Sequence, residues 1–127
     1  MASRVLTGVY DEELRRSGLP ATQFALLAIL DRRPGAAQEQ LTTWVAMEQS
    51  TLSRNLNGLV RRGWVSSAAA PGSRVTRYQA TASGRAALRR ARPGWQRAQA
   101  RVKRALGADW NRLAPLLHKL ASLERRT

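Results

Sequence analysis

A short polar stretch holds the side chains best suited to chemistry. Ser50, Ser53, Arg54, Asn57 and Arg61 recur at helical spacing, with Gln49 just ahead of them. If the segment is a helix, they share one face, while Leu52, Leu56, Leu59 and Val60 share the other. Serine hydroxyls near a helix start bond phosphates without a charge penalty. Arg54 can fork onto guanine O6 and N7, and Asn57 or Gln49 can pair with adenine. The helix start itself favours an anion. A second cluster follows, a hairpin tip that places Arg74 and Arg77 with Ser73 and Gly72. An arginine on an extended tip suits a narrow minor groove, where the negative potential is deepest. A solvent-facing helix and an ordinary loop would carry such residues too. Their company with each other and with the net charge points to nucleic acid.

That charge is +14 over 127 residues, from 22 basic and 8 acidic groups. It implies a polyanionic partner. Residues 85–107 hold eight basic groups and no acidic one, more than half of the net excess. Residues 97–104, more than about 20 Å along a helix from Thr81, read as too remote to hold phosphate and as merely solvated. Arg85 and Arg89 lie nearer the wing and could hold phosphate. Cysteine is absent, which excludes disulfides, thiolate metal sites and thiol redox sensing, and a single histidine excludes a histidine metal cluster. No cofactor is expected. His118 has no evident carboxylate partner, and Asp31, Glu39 and Glu48 form no evident pair. There is no glycine-rich phosphate loop, so catalysis is not expected. No apolar run reaches the roughly 20 residues of a membrane span. The expectation is a cytoplasmic, nucleoid-associated protein.

The elements that must position these groups follow from periodicity. Residues 2–16 read as a helix with Val5, Leu6, Val9, Tyr10 and Leu14 on one side, stopped at Gly18. A second helix follows Pro20 with Phe24, Leu27 and Ala28 inward and ends at Arg33-Pro34-Gly35. Short and longer helices over about 37–45 and 49–62 flank a tight turn. Trp64–Ser67 and Val75–Tyr78 bracket Ala70-Pro71-Gly72-Ser73 as a hairpin. Thr81 then reads as the cap of a long helix. Its seam is Leu88, Ala91, Trp95, Ala98, Val102 and Ala105, and Pro93 is expected to kink it. A sixth helix carries Trp110, Leu113, Leu116, Leu117, Leu120 and Leu123, with Pro115 dividing it and His118 off its leucine stripe. The fold expected is mainly α with a small β-hairpin, a winged helix-turn-helix with N- and C-terminal dimerisation helices. Residues 19–84 form its DNA-binding lobe, residues 1–18 and 85–127 the arms. Such amphipathic arms are most economically buried in a self-complementary homodimer.

Leu41 to Leu56, continuing through Leu59-Val60-Arg61-Arg62-Gly63-Trp64-Val65, resembles the helix-turn-helix of MarR-type transcriptional regulators. Leu19-Pro20-Ala21-Thr22-Gln23-Phe24 is similar to that family's entry to its second helix. Arg74 stands seven residues before Thr81, and Thr81-Ala82-Ser83-Gly84 is similar to its Thr-x-x-Gly start of the long helix. The resemblance spans nearly the whole chain. Departures are Gly72 in place of the Asp that steadies the wing arginine, Pro20 in place of a capping Thr, and Ala80 in place of Leu. They imply a looser wing and a lost helix cap. The first helix also begins later than in the family pattern. That implies a smaller N-terminal contact or a start further upstream.

The resemblance implies a homodimer on double-stranded DNA, with two lobes in successive major grooves of a pseudo-palindromic operator, usually repressing transcription. It places Gln49, Ser50, Thr51, Ser53, Arg54 and Asn57 at the major groove, and Ser73, Arg74 and Arg77 at the minor groove. Gln38 and Gln40 become candidate phosphate contacts. It also implies release by a small aromatic or phenolic ligand, with Tyr10, Trp44 and Trp95 as candidate pocket walls. A sequence-tolerant architectural DNA binder without ligand response is the alternative that the basic arm would fit.

Overall fold

The computed structural model describes residues 2–45, 47–109, 111, 112 and 115, with side chains from residue 5 onward. The named apolar positions of the expected sixth helix, and His118, lie outside the described residues. Within them the chain runs α1 (Ala2–Leu14), α2 (Ala21–Arg32), β1 (Ala36–Ala37), α3 (Gln38–Trp44), α4 (Gln49–Arg61), β2 (Val65–Ala69), β3 (Thr76–Ala80) and α5 (Ala82–Leu106). This is the expected winged helix-turn-helix, mainly α with a small antiparallel sheet.

The sheet has a third strand that periodicity did not reveal. Its order is β1-β3-β2, with Ala36 opposite Tyr78 and Ser67 opposite Tyr78 on the other side. Two alanines are too short a run to carry a strand pattern. The wing turn is built by Pro71 and by Gly72, whose φ of 78° few other residues would adopt, with Ser73 N–H donating to the Ala70 carbonyl at 2.9 Å. The Ser73 hydroxyl accepts from Val75 N–H at 3.1 Å.

The core gathers leucines from every helix: Leu14, Leu26, Leu27, Leu30, Leu41, Leu52, Leu56, Leu59 and Leu88 are all buried. The second helix is buried on more than one side, because Leu26 and Leu30 join Phe24 and Leu27 inside. The first helix keeps only its C-terminal end inside, and Val5 and Leu6 remain exposed.

The lost cap at Pro20 is replaced from another element. Asp11 of α1 accepts the backbone N–H of Ala21 at 2.7 Å, satisfying a donor that α2 would otherwise leave open. Thr81 caps α5 as expected, accepting Gly84 N–H at 3.0 Å while its own hydroxyl donates to the Gly63 carbonyl at 2.7 Å. Gly84 then lies against the Trp64 carbonyl so closely that any side chain would overlap it. The helix continues through Pro93. One residue on, a Cβ at Gly94 would stand 2.6 Å from the Glu13 carbonyl, so α1 and α5 cross in near backbone contact.

Candidate nucleic-acid interface

The helix α4 is two-faced. Leu52, Leu56 and Leu59 are buried, while Gln49, Ser50, Arg54 and Asn57 are exposed, and Thr51 and Ser53 are half-buried. Burial of the leucine face fixes the helix, and the polar face follows from the 3.6-residue period. Arg54 donates to the Thr51 hydroxyl at 3.4 Å, a long bond that leaves its fork open. Two side-chain bonds orient this helix. Thr22 of α2 donates to Asn55 at 3.1 Å, and Asn55 in turn donates to the Thr51 carbonyl at 2.9 Å. Gln38 of α3 donates to the Ser53 hydroxyl at 2.6 Å. Asn55 was not singled out from sequence, because its partner lies in a distant element.

Gln40 has a structural task of its own. Its Oε1 accepts the Ala37 N–H at 2.9 Å and closes the start of α3. Arg62, at the end of α4, is likewise structural. Its guanidinium lies 3.7 Å over the Trp64 ring and donates to the Gly18 carbonyl at 2.9 Å.

In the wing, Ser73 and Arg74 stand exposed at the tip. The reading of Arg77 as a tip residue is corrected. It lies inside β3, opposite Ala37 and Ala68, and donates to the Gly35 carbonyl at 3.1 Å. Strand pairing with β1 draws it away from the tip.

The basic arm is also less free than its sequence suggests. Arg97 reaches Glu13 at 3.2 Å, and Arg101 reaches Glu13 at 3.2 Å and Glu12 at 3.3 Å. The Arg97 hydrogen bond, foremost, holds the Glu13 carboxyl below the usual carboxylate range. Hydrogen bonds to Glu12 and Glu13 push the Arg101 guanidinium up. Residues 97–104 are therefore not merely solvated, because two of their cations clamp α1 to α5. Nearer the wing, Arg85 donates to the Ala80 carbonyl at 3.2 Å.

Among the hollows lined by described residues, Trp44 and Trp95 border separate ones. Trp95 stacks on Phe24 with ring centroids 4.4 Å apart and touches Tyr10 at 4.4 Å. Burial pushes the Tyr10 hydroxyl pKa up. A hollow of about 500 Å3 between α2 and α5 is lined by Phe24, Ala28, Arg32, Arg92, Trp95 and Gln99 among others. Trp44 lines an adjoining hollow of about 590 Å3 with Ile29, Arg32 and Arg33, and Arg33 lies 4.5 Å over its ring. Tyr10 lines neither hollow. Among the described residues there is no metal-ligating cluster, and no helix is long and apolar enough to cross a membrane.

Comparison with known proteins places these features in context. A model of the MarR family matches residues 17–74. The crystal structure of the M. tuberculosis transcriptional regulator MosR is similar, with a TM-score of 0.84 at 35% identity over 99% of this chain and 91% of that one. The same regulator in complex with DNA matches with a TM-score of 0.84 at 37% identity, over 98% and 91% of the two chains. The transcriptional repressor CouR, bound to a 23-mer DNA duplex, matches with a TM-score of 0.78 at 29% identity, over 97% and 87%. A search of the curated proteins found no match.

Proposed function

The chain belongs to the MarR family of DNA-binding transcriptional regulators, and from that premise we propose that it represses transcription as a homodimer on a pseudo-palindromic operator. The observation that carries the reading is the division of α4, with its leucines buried and Gln49, Ser50, Arg54 and Asn57 exposed. Arg74 at the exposed wing tip supplies the minor-groove contact. The similarity to a repressor bound to duplex DNA supports the same direction. Residues 19–84 form the reading lobe, and residues 1–18 and 85–127 form the dimer arms. Exposed Val5 and Leu6 on α1 are the apolar surface that a second copy would cover. Selection of duplexes from a random pool, followed by footprinting, tests the reading. An inverted repeat protected on one face of the duplex is the expected result. The absence of any preferred site, with affinity falling uniformly as salt rises, would favour the architectural alternative.

Release by a small aromatic acid is the second part of the proposal. The hollow between α2 and α5 offers the stacked Phe24 and Trp95 for a ring, and Arg32 and Arg92 for a carboxylate. A ligand there lowers DNA affinity only if it prefers a lobe spacing that DNA does not. Titration of aromatic acids against the protein–operator complex, with Trp95→Ala as control, tests it. No release by any of them would refute it.

A further inference from the structure

We infer that the turn Arg62-Gly63-Trp64, which closes α4, is the joint that fixes the angle between the reading lobe and the dimer arms, and that Arg62 is its positioning residue. The inference rests on the proposed dimer, with its lobe at residues 19–84.

The chain passes between arm and lobe twice, at Gly18-Leu19 and at Gly84-Arg85. Both crossings meet at the end of α4. At the first, Arg62 donates to the Gly18 carbonyl at 2.9 Å and to Gln23 Oε1, in the first turn of α2, at 3.3 Å. The same guanidinium lies 3.7 Å over the Trp64 ring. One planar group thus bridges the linker, α2 and the residue that opens into β2. At the second crossing, Thr81 donates its N–H to the Trp64 carbonyl at 3.0 Å and its hydroxyl to the Gly63 carbonyl at 2.7 Å. A Cβ at Gly84 would overlap that same Trp64 carbonyl. The turn is rigidly continuous with α4. Gly63 takes φ 76°, and the N–H groups of Gly63 and Trp64 donate to the Val60 and Leu59 carbonyls, both at 3.0 Å.

The arms behave as one piece, since α1 and α5 cross at Gly94 and are clamped through Glu13. Rotation of the lobe against them therefore strains the bonds of this turn. Phe24 and Trp95 also span lobe and arm, but stacked apolar groups can slide. The bonds of a guanidinium fork are directional. Asp11 ties α1 to Ala21 across the same linker, and Arg62 carries that hold on to the reading helix.

On an inverted repeat, the angle between lobe and arms sets the separation of the two α4 helices, and so the number of base pairs between half-sites. One base pair more or less moves a half-site by about 3.4 Å and turns it by about 35°. A stiff joint resists that change, and a loosened joint absorbs part of it.

The test uses the full chain and the inverted repeat that wild type selects, rebuilt with one base pair added or removed between the half-sites. Wild type should bind the altered spacings more weakly. Arg62→Ala should cut that penalty about fivefold, the worth of one net hydrogen bond. Base preference within each half-site should not change, because Leu52, Leu56 and Leu59 still hold α4. Arg62→Lys keeps the charge but lacks the planar fork, so it should restore only part of the penalty. An undiminished penalty in Arg62→Ala would overturn the inference. So would full restoration in Arg62→Lys, since charge alone would then suffice. So would equal weakening at every spacing, which with a reduced salt slope would make Arg62 a phosphate contact and with a lowered melting temperature only a stabilising one. Failure of the underlying dimer reading looks different. Wild type itself would then show no preferred spacing, and the joint would fall with it.

Discussion

The helices α4 and α5 both face a polyanion in this reading, but they are built on opposite principles. Residues 85–107, which contain nearly all of α5, carry eight basic groups and no acidic one. Its cations do two things. Arg97 and Arg101 clamp Glu13 and Glu12 of α1, and the net charge of the segment would add long-range attraction for DNA under the proposed function. The helix α4 has only Arg54 and Arg61 as charges. Its remaining polar groups are hydroxyls and amides, held by bonds from Thr22 and Gln38 in neighbouring helices. The difference separates attraction from discrimination. Charge acts at a distance and ignores sequence, whereas neutral polar groups act at contact and read it.

The largest effect should come from breaking the arm without touching α4. Gly94→Ala would put a methyl against the Glu13 carbonyl at 2.6 Å. It should destabilise the fold by about 2–3 kcal/mol, well beyond the gain in helix propensity. Chemical denaturation measures this, and a stabilised variant would show that the crossing is not tight.

Arg54→Ala probes the other side of the comparison. It should cost about 1–3 kcal/mol at one base pair and relax specificity there, with the melting temperature unchanged. Binding to duplexes substituted at single positions checks it. Equal losses on selected and random duplexes would move Arg54 into the attracting class with α5.

The clamp between α1 and α5 has a pH signature. The Glu13 carboxyl lies below its ordinary value, chiefly through the Arg97 hydrogen bond. Its contribution is therefore complete above the ordinary carboxylate range and is lost as the pH falls through the depressed value. Wild type should melt higher than Glu13→Gln at neutral pH, and the gap should close in acid and shrink in high salt. A gap that is constant with pH would contradict the clamp.

Much of this arrangement was legible in the sequence, and what was hidden has a common cause. The two faces of α4 and the Thr81 cap are local patterns, set by residues within a few turns of one another. The Asp11 cap of α2, the Gln38–Ser53 bond and the pairing of Glu13 with Arg97 join residues far apart in the chain. Periodicity carries no information about such partners. Arg77 lies within the expected strand Val75–Tyr78 yet groups with the tip by sequence, and its register opposite Ala68 and Ala37 settles it inside the sheet. Tyr10, Trp44 and Trp95 are aromatics that sequence alone cannot sort into one hollow or two. The structure gives Trp44 and Trp95 separate hollows and packs Tyr10 against Trp95.

If discrimination resides in α4 and attraction in the wing-proximal part of α5, the two separate in the ratio of affinity for the selected duplex to affinity for random duplex, followed across salt concentration for wild type, Arg54→Ala and Arg89→Ala. Arg89→Ala should weaken both duplexes alike, reduce the salt slope by up to about one and leave the ratio intact. Arg54→Ala should collapse the ratio. A ratio that falls with Arg89→Ala and survives Arg54→Ala would contradict this division.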